Sequence, residues 1–228
     1  ADSLAALGNR RFGIYLDSSR GNVIGGPGFP GNVIAGNASS GIRLMRSRQN
    51  PILGNLIGVL PDSTTSAPNG SDGVSLVRSS ANTFGDRNPG MANVIAHNTG
   101  AGVRVFSGSG NRIVGNAIHD NTLLVINLIG QDITRGVTLN DSADADTGAN
   151  HMQNFPTLTY VARSSGNATV DGFLEGHDGD NYTVDFYSVD MPDVSGFGSG
   201  DSLLDSISVT PDSTGYAHFS HQLTGNPA

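Results

Sequence analysis

Cysteine, lysine and tryptophan are all absent from the 228-residue chain. Without thiols there are no disulfides, no thiolate nucleophile and no cysteine metal ligand. Without lysine there is no Schiff-base or Ser-Lys chemistry. The 12 basic residues are all arginine and Glu175 is the lone glutamate, so the formal charge of −8 comes almost wholly from aspartate. Such a surface repels nucleic acid and anionic membrane and suits divalent cations or basic partners. No transmembrane run, signal peptide or lipidation motif is visible, so membrane insertion is not expected, and a signal removed on export remains compatible with the mature chain. Aromatic residues make up only 6%, whereas glycine reaches 32 residues. That glycine follows no strict Gly-X-Y period, which excludes collagen. Short apolar runs such as VIAG, GVRVF and YTVDFYSV recur along the chain and argue against simple disorder.

What is present is a repeat. GIYL at 13, GIRL at 41, GVSL at 73 and GVRV at 102 each open a short alternating strand with glycine, at spacings of 28, 32 and 29 residues. Between them lie asparagine-led apolar pieces: NVIGG at 22, NVIAGN at 32, NLIG at 55, NTFG at 82, NVIAHN at 93 and NRIVGN at 111. One Gly-led and two Asn-led strands per period predict a solenoid with three short faces per coil. Strands this short bury a core only by stacking, at about 4.8 Å per coil, into parallel sheets around an apolar interior. Ile14, Leu16, Ile42, Leu44, Val74, Leu76, Val103 and Val105 should point inward, as should Val33, Val94 and Ile113 or their neighbours. The Gly-Asn pairs belong at the turns, where glycine accepts positive φ and the Asn amide satisfies backbone groups and stacks on its copy in the next coil. Asn111, Asn116, Asn121 and His119 of GNRIVGNAIHDN are then scaffold rather than chemistry. Helical periodicity is confined to DSLAALGNRR, residues 2–11. At least four coils fit between about residue 8 and residue 130.

On this glycine and asparagine rhythm, over about residues 10–156, the chain resembles right-handed parallel β-helix repeat proteins of bacterial surfaces and secretions, whose broad fold relatives include pectate lyases. Such proteins often end on a Gly-Ile-Asp-Leu coil, an Asp-rich loop and a QNFP exit. Here VINL at 125–128 and NDSADADTGANHMQNFP at 140–156 occupy those places, with Val125 for the usual glycine and Asn127 for the usual aspartate. From Thr157 the strands lengthen, as TLTYVA, ATVDGFLEG, NYTVDFYSV, SLLDSISVT and GYAHFSHQL, separated by Gly/Asp/Ser/Pro turns. They read as an antiparallel sandwich with Val184, Phe186, Ile207, Val209 and Phe219 in its core. The stretch is similar to the small Ig-like module that often follows the repeat. The expected fold is therefore all-β: a right-handed parallel β-helix over 1–156, with its exit loop at 140–156, then an Ig-like β-sandwich over 157–228. That module usually continues for one or two strands beyond FSHQL, and the front opens almost directly on a coil, so a fragment or an assembly completed by neighbouring subunits is expected.

Chemistry on a parallel β-helix sits on outward residues of one sheet in adjacent coils. The first outward column of the Gly-led strands reads Tyr15, Arg43, Ser75, Arg104, Asn127, and the second Asp17, Met45, Val77, Phe106, Ile129. Neither holds the paired carboxylates of glycoside hydrolysis, nor an aspartate beside Arg43 or Arg104, so no catalytic residue is assigned. Tyr15, Arg43 and Arg104 are candidate ligand-binding residues for a sugar polymer. Met45, Val77 and Phe106 form a candidate contact face, unless the excursion at 60–72 covers them. His97 and His119 read either as turn residues or, with Asp120, as a general base pair; the turn reading is preferred, since neighbouring strand residues face opposite ways. Asp141, Asp144 and Asp146 lie within six residues and suit a hard cation such as calcium, with a solvated connector as the other reading. The leading functional expectation is an extracellular or cell-surface structural protein, a rigid scaffold for adhesion to another surface protein or for self-assembly into a fibre or layer. A carbohydrate-binding module is the second, and a polysaccharide lyase or hydrolase, by fold analogy alone, the third.

Overall fold

The computed structural model describes residues 7–26, 31–130, 136–191 and 196–224. Three parallel sheets wind into a right-handed solenoid. The first stacks Ile14–Asp17, Ile42–Met45, Val74–Val77, Val103–Val105 and Ile126–Leu128 in that order. The second stacks Ile24–Gly25, Pro51–Leu53, Thr83–Phe84 and Arg112–Ile113, and the third Val33–Ile34, Leu56–Ile57, Val94–Ala96 and Ala117–His119. The register joins equivalent positions of successive repeats, with Ile14 opposite Ile42, Ile42 opposite Val74, and Val74 opposite Val103. Of the expected short helix, residues 2–6 lie outside the described residues and 7–11 are not helical.

Alternation sets the core. Ile42, Leu44, Val74, Leu76, Val103 and Val105 are buried in one cluster with Ile34, Ile52, Phe84, Ile95 and Ile118. In the Asn-led strands the second strand residue, not the first, turns inward: Ile34 is buried while Val33 stays 40% exposed, and Phe84 and Ile113 hold the same inward place in the second sheet. A two-residue strand has one inward position, and the residue next to the corner is still turning.

Asparagine holds each corner. At the corner entering the second sheet, Asn50 sends its backbone N–H and its side-chain Nδ2 to Oδ1 of Asn82, at 3.1 and 2.9 Å. Asn22 does the same to Asn50, Asn82 to Asn111, and Asn111 to Asn150. A second ladder runs Asn32, Asn55, Asn93, Asn116. A third runs Asn9, Asn37, Asn69, Asn98, Asn121. Most of these amides are buried, and their remaining N–H bonds go to strand carbonyls such as Ile52 and Ile95. The Gly-led strands begin with glycine because a Cβ at Gly73 would lie 2.5 Å from Ile95 Cγ2 and 2.7 Å from the Gly102 carbonyl. Val125 departs from that rule in the last coil of the first sheet, where its side chain packs on the core.

The exit loop closes the solenoid. Ala149 and Met152 enter the interior cluster, while Asn150 supplies the final rung of its ladder and donates from Nδ2 to the Asn111 carbonyl at 2.7 Å. Asn150, His151 and Met152 all adopt left-handed φ, between 50 and 59°, a conformation that tertiary contacts must enforce on non-glycine residues. Beyond the loop, Thr157–Ser164, Asn167–Glu175 and Tyr216–Leu223 form one antiparallel sheet and Tyr182–Ser188 pairs with Ser202–Val209 in another. Val170, Leu174, Val184, Phe186, Val209 and Phe219 fill the space between them, with Ile207 packed alongside. This sandwich-like region docks on the solenoid. Gly200 pairs with Ile118 through two backbone bonds of 2.8 and 3.0 Å, covering an edge of the third sheet. Arg87 Nε donates to Asp185 Oδ1 at 2.9 Å. Burial at this junction, helped by the Asp185 charge, pushes the Tyr187 hydroxyl up to about 12.

Replacing Asn98 by Ala removes an acceptor used by Asn69 and orphans buried groups on both neighbouring coils. At roughly 1–3 kcal/mol for each unsatisfied buried group, Asn98→Ala should cost about 2–5 kcal/mol in urea unfolding. Val23→Ala, at a 62% exposed position, should cost no more than about 0.5 kcal/mol.

Candidate functional site

Three constellations of polar side chains stand out on this frame. The first is the exit loop. Ser142–Asp144 forms a single 3-10 turn with Ala143 and Asp144 in left-handed conformations, and this turn gathers the three aspartates. Ligand oxygens of Asp141, Asp144 and Asp146 all lie within 4.8 Å of one another. Asp144 is buried and accepts from the Asn154 N–H at 2.7 Å. Oδ1 of Asp141 and Oδ1 of Asp146 are buried without a hydrogen-bond partner. Burial raises the Asp144 carboxyl above its ordinary value despite the Asn154 bond. Burial and then the charges of Asp141 and Asp144 raise Asp146. Asn154, of the QNFP exit, ties the loop to its surroundings: its Oδ1 accepts from the Asp141 N–H, and its Nδ2 donates to the Asp141 and Glu175 carbonyls. Sequence spacing found the trio; it did not show Asn154 as the residue linking the loop to the sandwich-like region.

The second constellation is the outer face of the first sheet. The column runs in register from Tyr15 through Arg43, Ser75 and Arg104 to Asn127. Tyr15, 50% exposed, stacks on Phe12 with ring centroids 5.5 Å apart. The Arg43 guanidinium lies 5.8 Å from the Phe12 ring centre and 5.6 Å from that of Phe106, and donates to Ser75 Oγ at 3.1 Å. Arg104 also lies over Phe106. An aspartate does stand beside Arg104, contrary to the reading of the columns: Asp72, from the end of the 60–72 excursion, approaches Nη2 at 3.0 Å, with the two side chains only 12% and 3% exposed. Excursions lie outside the strand repeat, so the columns could not show it. Tyr15 and Arg104 are three coils apart, about 14 Å at the usual strand spacing, so the ligand-binding candidates line a strip and do not converge on a point. Met45 and Val77 are half-buried, and Phe106 is 37% exposed. Val59, just before the excursion, packs with Leu56, Val94 and Ala96 on the outside of the third sheet instead of on this ladder. Asn127 is buried beside Arg104 with its Oδ1 unpartnered.

The third constellation is histidine-based. His97 and His119 come from adjacent coils at the end of the third sheet, with ring centroids 6.2 Å apart and planes at 83°. His119 Nδ1 is 2.8 Å from Asp120 Oδ2. Strand alternation argues against that contact, but Asp120 has φ 51° and so turns back to meet its neighbour. Where the solenoid meets the sandwich-like region there is also a cleft of about 550 Å³, with Ile113, Ile126, Leu128 and Met152 on its walls and Arg112, Gln153 and Asp185 among its polar lining.

Among the described residues no helix is long and apolar enough to cross a membrane. No curated protein matches the chain. The model of one family, described as periplasmic copper-binding protein (NosD), matches residues 5–128, which is more than half of the chain and stops short of the aspartate loop. Together with the parallel solenoid and its corner ladders, this shows that the chain belongs to the NosD family.

Proposed function

We propose that the protein is an exported structural scaffold, a stiff β-helix joined to an Ig-like sandwich over 157–228, that uses the outer face of its first sheet to associate with further copies of itself at the cell surface or outside the cell. The observation that carries this reading is the continuity of the exit loop: Asn150 ends a solenoid ladder, Met152 enters the solenoid core, and Asn154 bonds to the Glu175 carbonyl of the next region. Such a joint transmits force without a hinge, which suits a scaffold. The family's periplasmic description supports a place outside the cytoplasm.

A hard divalent cation, calcium in this proposal, completes the joint at Asp141, Asp144 and Asp146. Two buried carboxylate oxygens without donors fit a cation better than they fit solvent. The same all-oxygen set does not suit copper, the metal in the family's description, which favours imidazole or sulfur donors. Imidazole nitrogens are instead brought together, among the described residues, at His97 and His119.

For association, the aromatic and arginine strip of Phe12, Tyr15, Arg43 and Phe106 offers rings flanked by guanidinium groups, with Met45 and Val77 beside it. Recognition of a polysaccharide is the second reading, favoured by the exposed Tyr15 ring; it has less behind it at Arg104, which is engaged by Asp72. Turnover of uronate polymers would move a lyase ahead of both.

Two outcomes test these assignments. A carboxyl whose pKa rises on folding contributes stability that is present below its unfolded value and lost as pH rises through the folded one. Metal-free protein should therefore lose thermal stability as pH climbs through the raised range of Asp144 and Asp146. Calcium should cancel that loss, Asp146→Asn should flatten it, and EDTA should lower the melting temperature of wild type but not of Asp144→Ala. A melt indifferent to EDTA and calcium removes the cation. Phe106→Asp should dissociate assemblies in sedimentation velocity while leaving the circular dichroism spectrum intact; loss of the fold instead would show that the ring serves the interior.

A further inference from the structure

We infer that the self-association proposed above runs head to tail, with an arginine-lined corner of the solenoid in one copy seated on the acidic turns beside the exit loop of the next. The inference rests on the self-association reading and names the surface that the partner copy presents.

Charge is divided unevenly along the chain. Residues 1–135 hold 11 of the 12 arginines against seven aspartates, a formal charge of +4. Residues 136–228 hold Arg163 alone against twelve aspartates and Glu175, a formal charge of −12. Copies aligned side by side would set like against like, whereas an end-to-end arrangement brings opposite charge together.

The basic surface is built by the repeat. Where the chain leaves the first sheet, a serine ladder pins the corner: the Ser19 N–H donates to Ser47 Oγ and the Ser47 N–H to Ser79 Oγ, each at 3.1 Å. Ser47 and Ser79 are buried, so the residues on either side of them face solvent in two columns. Met45 lies opposite Val77, which aligns Arg46 with Arg78, and Arg20 is bridged to Arg48. All four arginines are exposed and lie about 4.8 Å apart from coil to coil along each column. Of these four, among the described residues, only Arg46 meets a carboxylate, that of Asp17 at 2.7 Å. The fold does not demand arginine here, because serine fills the same columns at Ser18 and Ser80. Like charges stacked on neighbouring strands cost stability, and an acidic partner turns that cost into a contact.

The acidic surface is equally local. The Gly179 N–H donates to the Pro211 carbonyl at 3.0 Å, which holds together the turns bearing Asp178, Asp180 and Asp212, all exposed. The exit loop adjoins them, since a Cβ on Gly215 would lie 3.6 Å from that of Ala143. Arg20 and Arg48 stand three or more coils from Ile126–Leu128, the last strand of the first sheet, about 14 Å or further at the usual strand spacing. Joining the two surfaces between copies is therefore a heterologous contact, which builds an open fibre unless its rotation closes a ring. Met45 and Val77 border the arginine columns, so the corner continues the strip proposed for association. A single exposed ion pair adds little; the arginines set partner and direction, and the strip supplies buried area.

The test is sedimentation velocity of the intact 228-residue chain and of two charge-reversed variants. Wild-type association should weaken at least tenfold between about 0.05 and 0.5 M salt. Arg20→Glu with Arg48→Glu, and separately Asp178→Arg with Asp180→Arg, should each abolish assembly. An equimolar mixture of the two should restore it, because each variant then offers the end that the other needs. A mixture that stays monomeric overturns the head-to-tail contact, and so does assembly of either variant alone. If those variants assemble while Phe106→Asp does not, self-association stands on a different contact. A wild type that is monomeric at low salt removes self-association and this contact with it. Retention of that monomer on a polygalacturonate resin, lost in Arg20→Glu with Arg48→Glu, would then assign the corner to an anionic polysaccharide. Should a variant lose its circular dichroism spectrum, the wild type decides: assemblies indifferent to salt sink the contact.

Discussion

The asparagine ladders at the corners of the coils, most of their amides buried, are the constraint on which the structure depends. The strands are two to four residues long over the solenoid, too short to hold their register through apolar contacts alone. At a corner the backbone leaves one sheet before joining the next, and its polar groups would otherwise be buried unpaired. A single side-chain oxygen accepting both the backbone N–H and the amide of the coil below solves this and fixes the stacking distance. Stacking then aligns the inward Ile, Leu and Val residues, so the apolar core follows from the polar ladder as much as the reverse.

The same logic explains how the solenoid ends. A ladder must have a last rung, and an open stack of parallel strands exposes both core and edge. Asn150 and Met152 of the exit loop supply a rung and a plug, at the cost of three successive left-handed residues. The Gly200 bridge covers an edge of the third sheet. The Asp-rich segment sits between these devices, and its carboxylates are brought together because the loop folds back over the coil.

Two polar arrangements sit outside the ladders and differ in their donors. The aspartate trio offers only hard oxygen atoms, two of them buried and unmatched. The histidine pair offers nitrogen on an open surface, made possible by left-handed turns at His97 and Asp120. On the first sheet, by contrast, the arginines already have charge or ring partners within the chain: Arg43 lies between two phenylalanine rings and Arg104 faces Asp72, although its Nε and Nη2 are buried without a hydrogen-bond partner. What remains on that face for a partner is mainly aromatic surface.

The three-faced solenoid, its inward residues, its asparagine corners and the change to longer strands after the exit loop are all legible in the sequence. Each depends on local periodicity that repeats about every 28–32 residues. The trio Asp141, Asp144 and Asp146 is legible for the same reason, being close along the chain. Tertiary structure alone decided that Asn150 belongs to a ladder whose previous rung is 39 residues earlier. It alone brought Asp72 to Arg104, set His97 beside His119, and turned Asp120 onto its neighbour. These contacts arise where an excursion, a left-handed residue or a loop folding back breaks the repeat. Periodicity carries no information at such places, because the position of the side chain is set by what the rest of the chain has already built around it.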